Sequence, residues 1–284
     1  MQLFPTLFIL IAAGLAAHQA RNQEQQPRYQ PDWPCVGRPD PSYVHVAEAT
    51  GGQVFLFHPS ELGQSAALAI GNNDAETLFR VVGSLKDGIH EYAIPVDATV
   101  ETVRFSVSLQ CLQIAEIARP DGVLLQAADP AVEYEQFQAG RIVSVRQPAP
   151  GIWRVRVSGR GLFSLVVQGR SEVSLDAVEF VREAGRPGHE GLLPTHEPPK
   201  AGVPQMLRIA VSGPVADVRA RLVTSIFEDL QPLSLRVVSQ DDDDQEWLAV
   251  VTPRPGAFRV VVSGRDERGY VVQRVHAPLL EAVR

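Results

Sequence analysis

The chain has 284 residues, a formal net charge of -7, and 45% hydrophobic, 21% charged and 7% aromatic residues. Enough apolar side chains are present to build packed cores, which argues against whole-chain disorder, and the length fits about two domains. Only Lys86 and Lys200 are lysines, the arginines form no basic block and the net sign is negative, so no nucleic-acid partner is expected.

Leu3 to Ala17 is an uncharged apolar run that ends in small residues. It is short for a permanent membrane span, and residues 1–17 read as a cleaved secretory signal peptide, leaving no membrane span after its removal. No Lys or Arg precedes it. Residues 18–31 are polar and Gln-rich and read as a flexible lead-in. In a secreted, extracellular chain, Cys35 and Cys111 can form a disulfide, closing a loop worth on the order of 4 kcal/mol. Cys111 equally fits a buried small hydrophobe inside an apolar strand, and both readings stand. Asn22, Asn72 and Asn73 are the only asparagines and none opens an N-glycosylation triplet.

Residues 32–71 read as helix, strand, helix. The spacing of Tyr43, Val46 and Ala47 predicts a helix over 41–50 that Gly51-Gly52 stops. Gln53 to Phe57 fits a buried strand, and Pro59-Ser60-Glu61 opens a second helix with Leu62, Ala66, Leu68 and Ala69 as its stripe.

From residue 72 the texture is β. Phe79–Val82 and Tyr92–Val96 flank a turn at Lys86-Asp87-Gly88. Further strands are expected at 102–109, 113–118, 123–127, 141–145, 152–158 and 162–167, with Gly159-Arg160-Gly161 read as a hairpin between the last two. Val173–Val181 opens a second set of strands. Gly185 to Gly202 reads as a loop, and strands are expected beyond it at 205–212, 218–225, 233–239, 247–252, 257–263 and 270–275.

A long internal repeat organises this pattern. Pro148-Ala-Pro-Gly-Ile-Trp-Arg-Val-Arg-Val-Ser-Gly-Arg160 matches Pro253-Arg-Pro-Gly-Ala-Phe-Arg-Val-Val-Val-Ser-Gly-Arg265. An offset of domain size implies two complete modules in tandem. The expected fold class is therefore mainly β: two antiparallel β-sandwiches, 72–172 and 173–284, after a short α/β segment. Trp153 and Phe258 start the strand that enters each core.

The segment Cys35 to Phe55, with Thr50-Gly51-Gly52-Gln53-Val54-Phe55 at its end, resembles the closing part of a von Willebrand factor A domain. The remainder of the chain resembles the β-sandwich modules after the A domain in hemicentin-type proteins. The resemblance implies a galactose-binding-like first sandwich, an Ig-like second one, and a cell-adhesion or extracellular-matrix role. The A-domain metal site does not carry over: Asp40-Pro41-Ser42 lacks the second serine of the Asp-x-Ser-x-Ser loop, and no metal residue can be assigned from the family.

No catalytic set is expected. There is no Gly-x-Ser-x-Gly elbow and no Gly-rich phosphate loop. His189-Glu190 and His196-Glu197 lie among prolines that forbid the metalloprotease helix. Asp241, Asp242, Asp243 and Asp244 are weak calcium candidates, better read as a solvated hairpin tip. Arg154, Arg156 and Arg160, with Arg259 and Arg265 in the repeat, read as the polar face of alternating strands or a mild ligand-facing stripe. No cofactor is expected. The function read from the sequence is a secreted non-enzymatic binding or matrix scaffold with extracellular protein or glycan ligands. The alternatives are a carbohydrate-binding module of a secreted hydrolase system and a truncated product lacking the metal-binding half of its A domain.

Overall fold

The computed structural model describes residues 11–12, 35–65, 75–186, 189–241 and 244–284. Of the expected signal segment only Ile11–Ala12 (β1) is described, pairing in parallel with Leu56–Phe57 (β2). The rest of that segment, the lead-in, Ala66 to Ala69 of the expected second helix, and Asp242 and Asp243 lie outside the described residues. Among the described residues no helix is long and apolar enough to cross a membrane.

Helix α1 spans Pro41–Thr50; Asp40 caps it through its side chain, and Gly51 ends it at φ 74°. The buried face is Ala47 and Glu48 with half-buried Val44, not the Tyr43, Val46 and Ala47 stripe expected. Tyr43 and Val46 are exposed instead, because the helix turns its carboxylate inward. The segment leans on the first β module. The Leu56 amide donates to Ser108 Oγ at 2.8 Å, and the Gln138 amide donates to Glu61 Oε1 at 2.8 Å. A short α2 covers Leu62–Ser65.

The fold is mainly β. The first module contains β3 (Glu76–Leu85), β4 (Ile89–Val96), β5 (Val100–Ala118), β6 (Val132–Phe137), β7 (Gly140–Arg146) and β8 (Gly151–Ser171). They pair in the order β3-β8-β5-β7-β6, with β4 also on β8. This pairing departs from expectation in several ways. Residues 102–109 and 113–118 are one strand, and so are 152–158 and 162–167. Gly159-Arg160-Gly161 is therefore a bend inside β8, not a hairpin. β3 and β4 do not pair with each other across Lys86-Asp87-Gly88. β3 takes the 161–169 half of β8 and β4 takes the 151–158 half. The strand expected at 123–127 is reduced to a single bridge between Ala118 and Leu124, and the strand on that edge is β6.

The bend has a local cause. β5 carries register shifts at Leu109/Cys111 and Leu112/Ile114, opposite Gly159 and Arg160 of β8. Such bulges kink and twist a strand pair, so one long ribbon supplies both layers of the sandwich. The layers meet where Phe105 of the first half of β5 contacts Trp153 of the first half of β8, ring centroids 5.4 Å apart. Cys35 and Cys111 form a disulfide at this bend. The Val36 amide adds a bond to Gln110 O at 3.0 Å.

The second module is a two-sheet sandwich. Its strands are β9 (Ser174–Arg186), β10 (His189–Pro194), β11 (Gln205–Ser212), β12 (Ala216–Val223), β13 (Asp229–Leu233), β14 (Arg236–Gln240), β15 (Asp244–Val251), β16 (Gly256–Arg265), β17 (Val271–Val275) and β18 (Leu280–Ala282). One sheet runs β10-β9-β11-β15-β14, the other β13-β12-β16-β17. The single strand expected at 233–239 is two: β13 belongs to one sheet and β14 to the other, so the chain crosses between layers there. β10 replaces part of the loop expected at 185–202; it folds back on β9 with Arg186 opposite His189. In this module Ser263-Gly264-Arg265 does end at a hairpin, since Arg265 pairs with Val271.

The two cores are separate clusters, one around Phe105, Trp153 and Leu165, the other around Leu207, Ile209 and Val260. Gly159 sets the first. Its φ is 142°, and a Cβ there would overlap Cys111 O. Gly159→Ala is expected to cost more than about 2 kcal/mol by strain and backbone clash. Gly191→Ala, which faces open space, is expected to change little; comparing their thermal unfolding midpoints checks this.

Candidate functional site

The modules are held together by charges that sequence reasoning missed. Glu48 on α1, Arg80 on β3 and Arg259 on β16 are 5%, 1% and 0% exposed. Arg80 donates from Nε and Nη2 to Glu48 Oε1 at 3.1 and 2.6 Å. Arg259 donates from Nη2 to Glu48 Oε2. Arg80 also reaches the carbonyls of Gly51 and Gly52, and Arg259 Nη1 reaches Ala277 O at 2.8 Å, while the buried Arg259 Nε has no partner among the described residues. One carboxylate thus joins the α1 segment, the first module and the second. Thr50-Gly51-Gly52 has a structural reading here. Its glycines present carbonyls to Arg80, and a Cβ on Gly51 would meet Ala277 Cβ at 3.0 Å.

Arg259 corrects the arginine stripe: it is buried, not surface. Desolvation, then repulsion from Arg80, pulls its pKa down to about 10 against the opposing pull of Glu48, so it stays charged at neutral pH. Its repeat partner Arg154 is exposed and sits 3.4 Å from Glu91, while Arg156 pairs with Glu116 at 3.0 Å. Such exposed pairs are worth little to stability.

A second buried pair lies at the module boundary. Arg274 Nη1 donates to Asp97 Oδ2 at 2.8 Å, Nε to Val173 O at 2.9 Å and Nη2 to Ser171 Oγ at 2.5 Å. Gln273 Nε2 donates to Leu78 O at 2.8 Å. The loop after β12 adds an apolar plug. Phe227, at φ 67°, lies with its ring centroid 4.3 Å from that of Phe79, and the Val82 amide bonds Ser225 O at 3.0 Å.

A cleft of about 700 Å³ opens at this junction. Val44, Val82, Leu162 and Leu279 give it an apolar floor, and Arg38, His45, Ser84, Gln110 and Ser225 ring it with polar groups. All three parts of the chain contribute. Ligand sites form preferentially in clefts between domains.

The other expected positions stay apart from it. Asp241 and Asp244 close the β14–β15 hairpin, the Asp241 amide bonding Asp244 O at 2.9 Å, and Asp244 Oδ1 accepts from Ser212 Oγ at 2.6 Å. Among the described residues no group of three His, Cys, Asp or Glu side chains is placed to hold a metal. The missed charges left one trace in the sequence: Glu48 falls one turn after Val44 on the face carrying Ala47. Nothing in the repeat separates Arg154 from Arg259, because both modules carry arginine there.

The imidazole of His276 titrates at about 4, held down by desolvation and then by the Arg259 charge. In the unfolded chain it takes its proton near pH 6.5, so the unfolded state binds more protons below that value. Stability is therefore expected to fall as pH drops from about 6.5 toward 4. Thermal unfolding of the wild type and His276→Gln checks this: the neutral variant loses less over that window.

Residues 77–172 match the family described as Hemicentin galactose-binding domain-like. Over a longer stretch the chain is 23% identical across 239 residues to Hemicentin-1 of Mus musculus and to Hemicentin-1 of Homo sapiens, covering 82% of this chain and 4% of each relative. It is 24% identical over 258 residues to Hemicentin-2 of Mus musculus, covering 88% of this chain and 5% of that one. The chain thus spans a small part of the length of the relatives it matches. Among solved structures, a Bacillus licheniformis lipase, BlEst2, in propeptide form aligns at TM-score 0.33 and 15% identity, covering 78% of this chain and 47% of that one. That score is too low to bear on fold or function.

Proposed function

We propose that this chain is a secreted, non-enzymatic extracellular binding scaffold of hemicentin type, with the junction cleft as its ligand surface. The observation that carries this reading is how its charges are used. The buried ones tie three parts into one body, and a cleft with an apolar floor and polar rim remains where those parts meet. A rigid, pre-formed surface suits binding, since little ordering entropy is lost on association. The similarity to hemicentins along most of the chain supports an extracellular adhesion or matrix setting, and the Cys35–Cys111 disulfide suits an oxidising compartment. An Ig-like second module fits the strand order β9-β11-β15-β14 facing β13-β12-β16-β17.

A protein ligand fits the cleft better than a sugar. Its lining is aliphatic, proline, polar and charged, with no Phe, Tyr or Trp among the described residues, whereas ring-shaped ligands are commonly held on aromatic faces. The galactose-binding-like match of the first module supports the glycan alternative. Surface plasmon resonance of the chain against a panel of matrix proteins, beside a glycan array, separates them. The expected result is micromolar protein binding that Ser84→Trp, placed at the cleft rim, weakens at least about tenfold, or about 1.4 kcal/mol. Glycan binding with no protein ligand would favour a carbohydrate-binding module instead.

A further inference from the structure

Resting on the reading of the junction cleft as a ligand surface, we infer that the cleft takes an acidic peptide segment of a protein partner: a carboxylate side chain next to an aliphatic one. The charge inventory around the cleft selects this chemistry. Arg38 and His45 stand exposed at its rim and make no ion pair among the described residues. Glu48, the acidic residue lining it, is consumed by Arg80 and Arg259. One carboxylate against two guanidiniums leaves net positive charge beneath the floor, in a buried and weakly screened place. Asp40, close to Arg38 in the chain, is turned onto the helix start, where its Oδ1 accepts from Ser42 N at 2.8 Å and Ser42 Oγ at 2.7 Å. Asp40 keeps its charge, so Arg38, Arg80 and Arg259 against Glu48 and Asp40 leave one positive charge at the cleft, on a chain of net charge -7.

The apolar half of the ligand is dictated by the floor. Val44, Val82 and Leu162 offer aliphatic contact, and a hydrophilic acid alone would leave that surface wet. An aliphatic neighbour covers it, while the carboxylate meets the Arg38 fork, which favours planar, two-pronged acceptors. Ser84 adds a polar group at the rim for the peptide backbone.

The test is selection of a random peptide library on the immobilised chain, then titration of the enriched peptides by fluorescence polarisation. The expected sequences pair Asp or Glu with Leu, Ile or Val. Arg38→Glu, at an exposed position, is expected to keep its thermal midpoint, weaken those peptides at least about tenfold, and bind versions with Lys in place of the acid. Free octanoate is the small-molecule arm: if it displaces the peptides stoichiometrically and no peptide binds better than it does, the cleft serves a free fatty acid and the acidic peptide is ruled out. Enrichment of peptides without acid, no enrichment, or indifference to Arg38→Glu also overturns the proposal. Matrix-protein binding that survives Arg38→Glu but is lost in Ser84→Trp would sink the acidic-peptide ligand while leaving the scaffold reading in place.

Discussion

A single carboxylate inside the protein has to satisfy two guanidiniums, and the arrangement of the modules depends on that. Glu48 comes from a short helix, Arg80 from the edge strand of the first module and Arg259 from a central strand of the second. None is left to water. Breaking such a buried group by removing one partner typically costs about 3–5 kcal/mol, because a charge stays behind without compensation. The arrangement is thus better understood as fixing geometry than as adding net stability: the three parts must dock so that no charge is stranded. Asp97 and Arg274 impose the same condition where β8 runs on into the second module.

The repeat shows how equivalent positions do different work. Trp153 and Phe258 both enter cores, and both are followed by arginine. In the first module that arginine lies exposed beside Glu91; in the second it is buried against Glu48 of α1. The Ser-Gly-Arg tripeptide diverges similarly. It ends a strand in the second module, while in the first it sits opposite a doubly bulged partner, and the strand continues through it, bent. Local sequence is nearly the same; the partner strand decides whether the glycine turns the chain or bends it.

The difference between local and distant causes sets what is legible in the sequence. Alternation along Ile152 to Ser158 and Leu207 to Ser212 marks strands, and the repeat marks two modules with separate cores, because period-two burial is a local property. Strand continuity across Gly159 and the failure of β3 to pair with β4 depend on residues far away in sequence and leave no local trace. The same holds for the junction. Buried ion pairs are ordinary charged residues until their partners are known, and apolar spacing points to Tyr43 and Val46 on α1 because it cannot register a stripe that includes a carboxylate. The cleft is hidden for the same reason, being built from three distant segments.

The most direct test of joining by buried charge is whether the modules unfold together. Trp153 reports the first core and Trp247 the second, so fluorine NMR of the fluorotryptophan-labelled chain follows each through a thermal melt. Coincident loss of both native signals, with both shifted to lower temperature in Glu48→Gln, is the predicted result. A native Trp153 signal persisting well after Trp247 has melted, or midpoints unmoved by Glu48→Gln, would show that the modules are independent and that the ion pairs do not hold them.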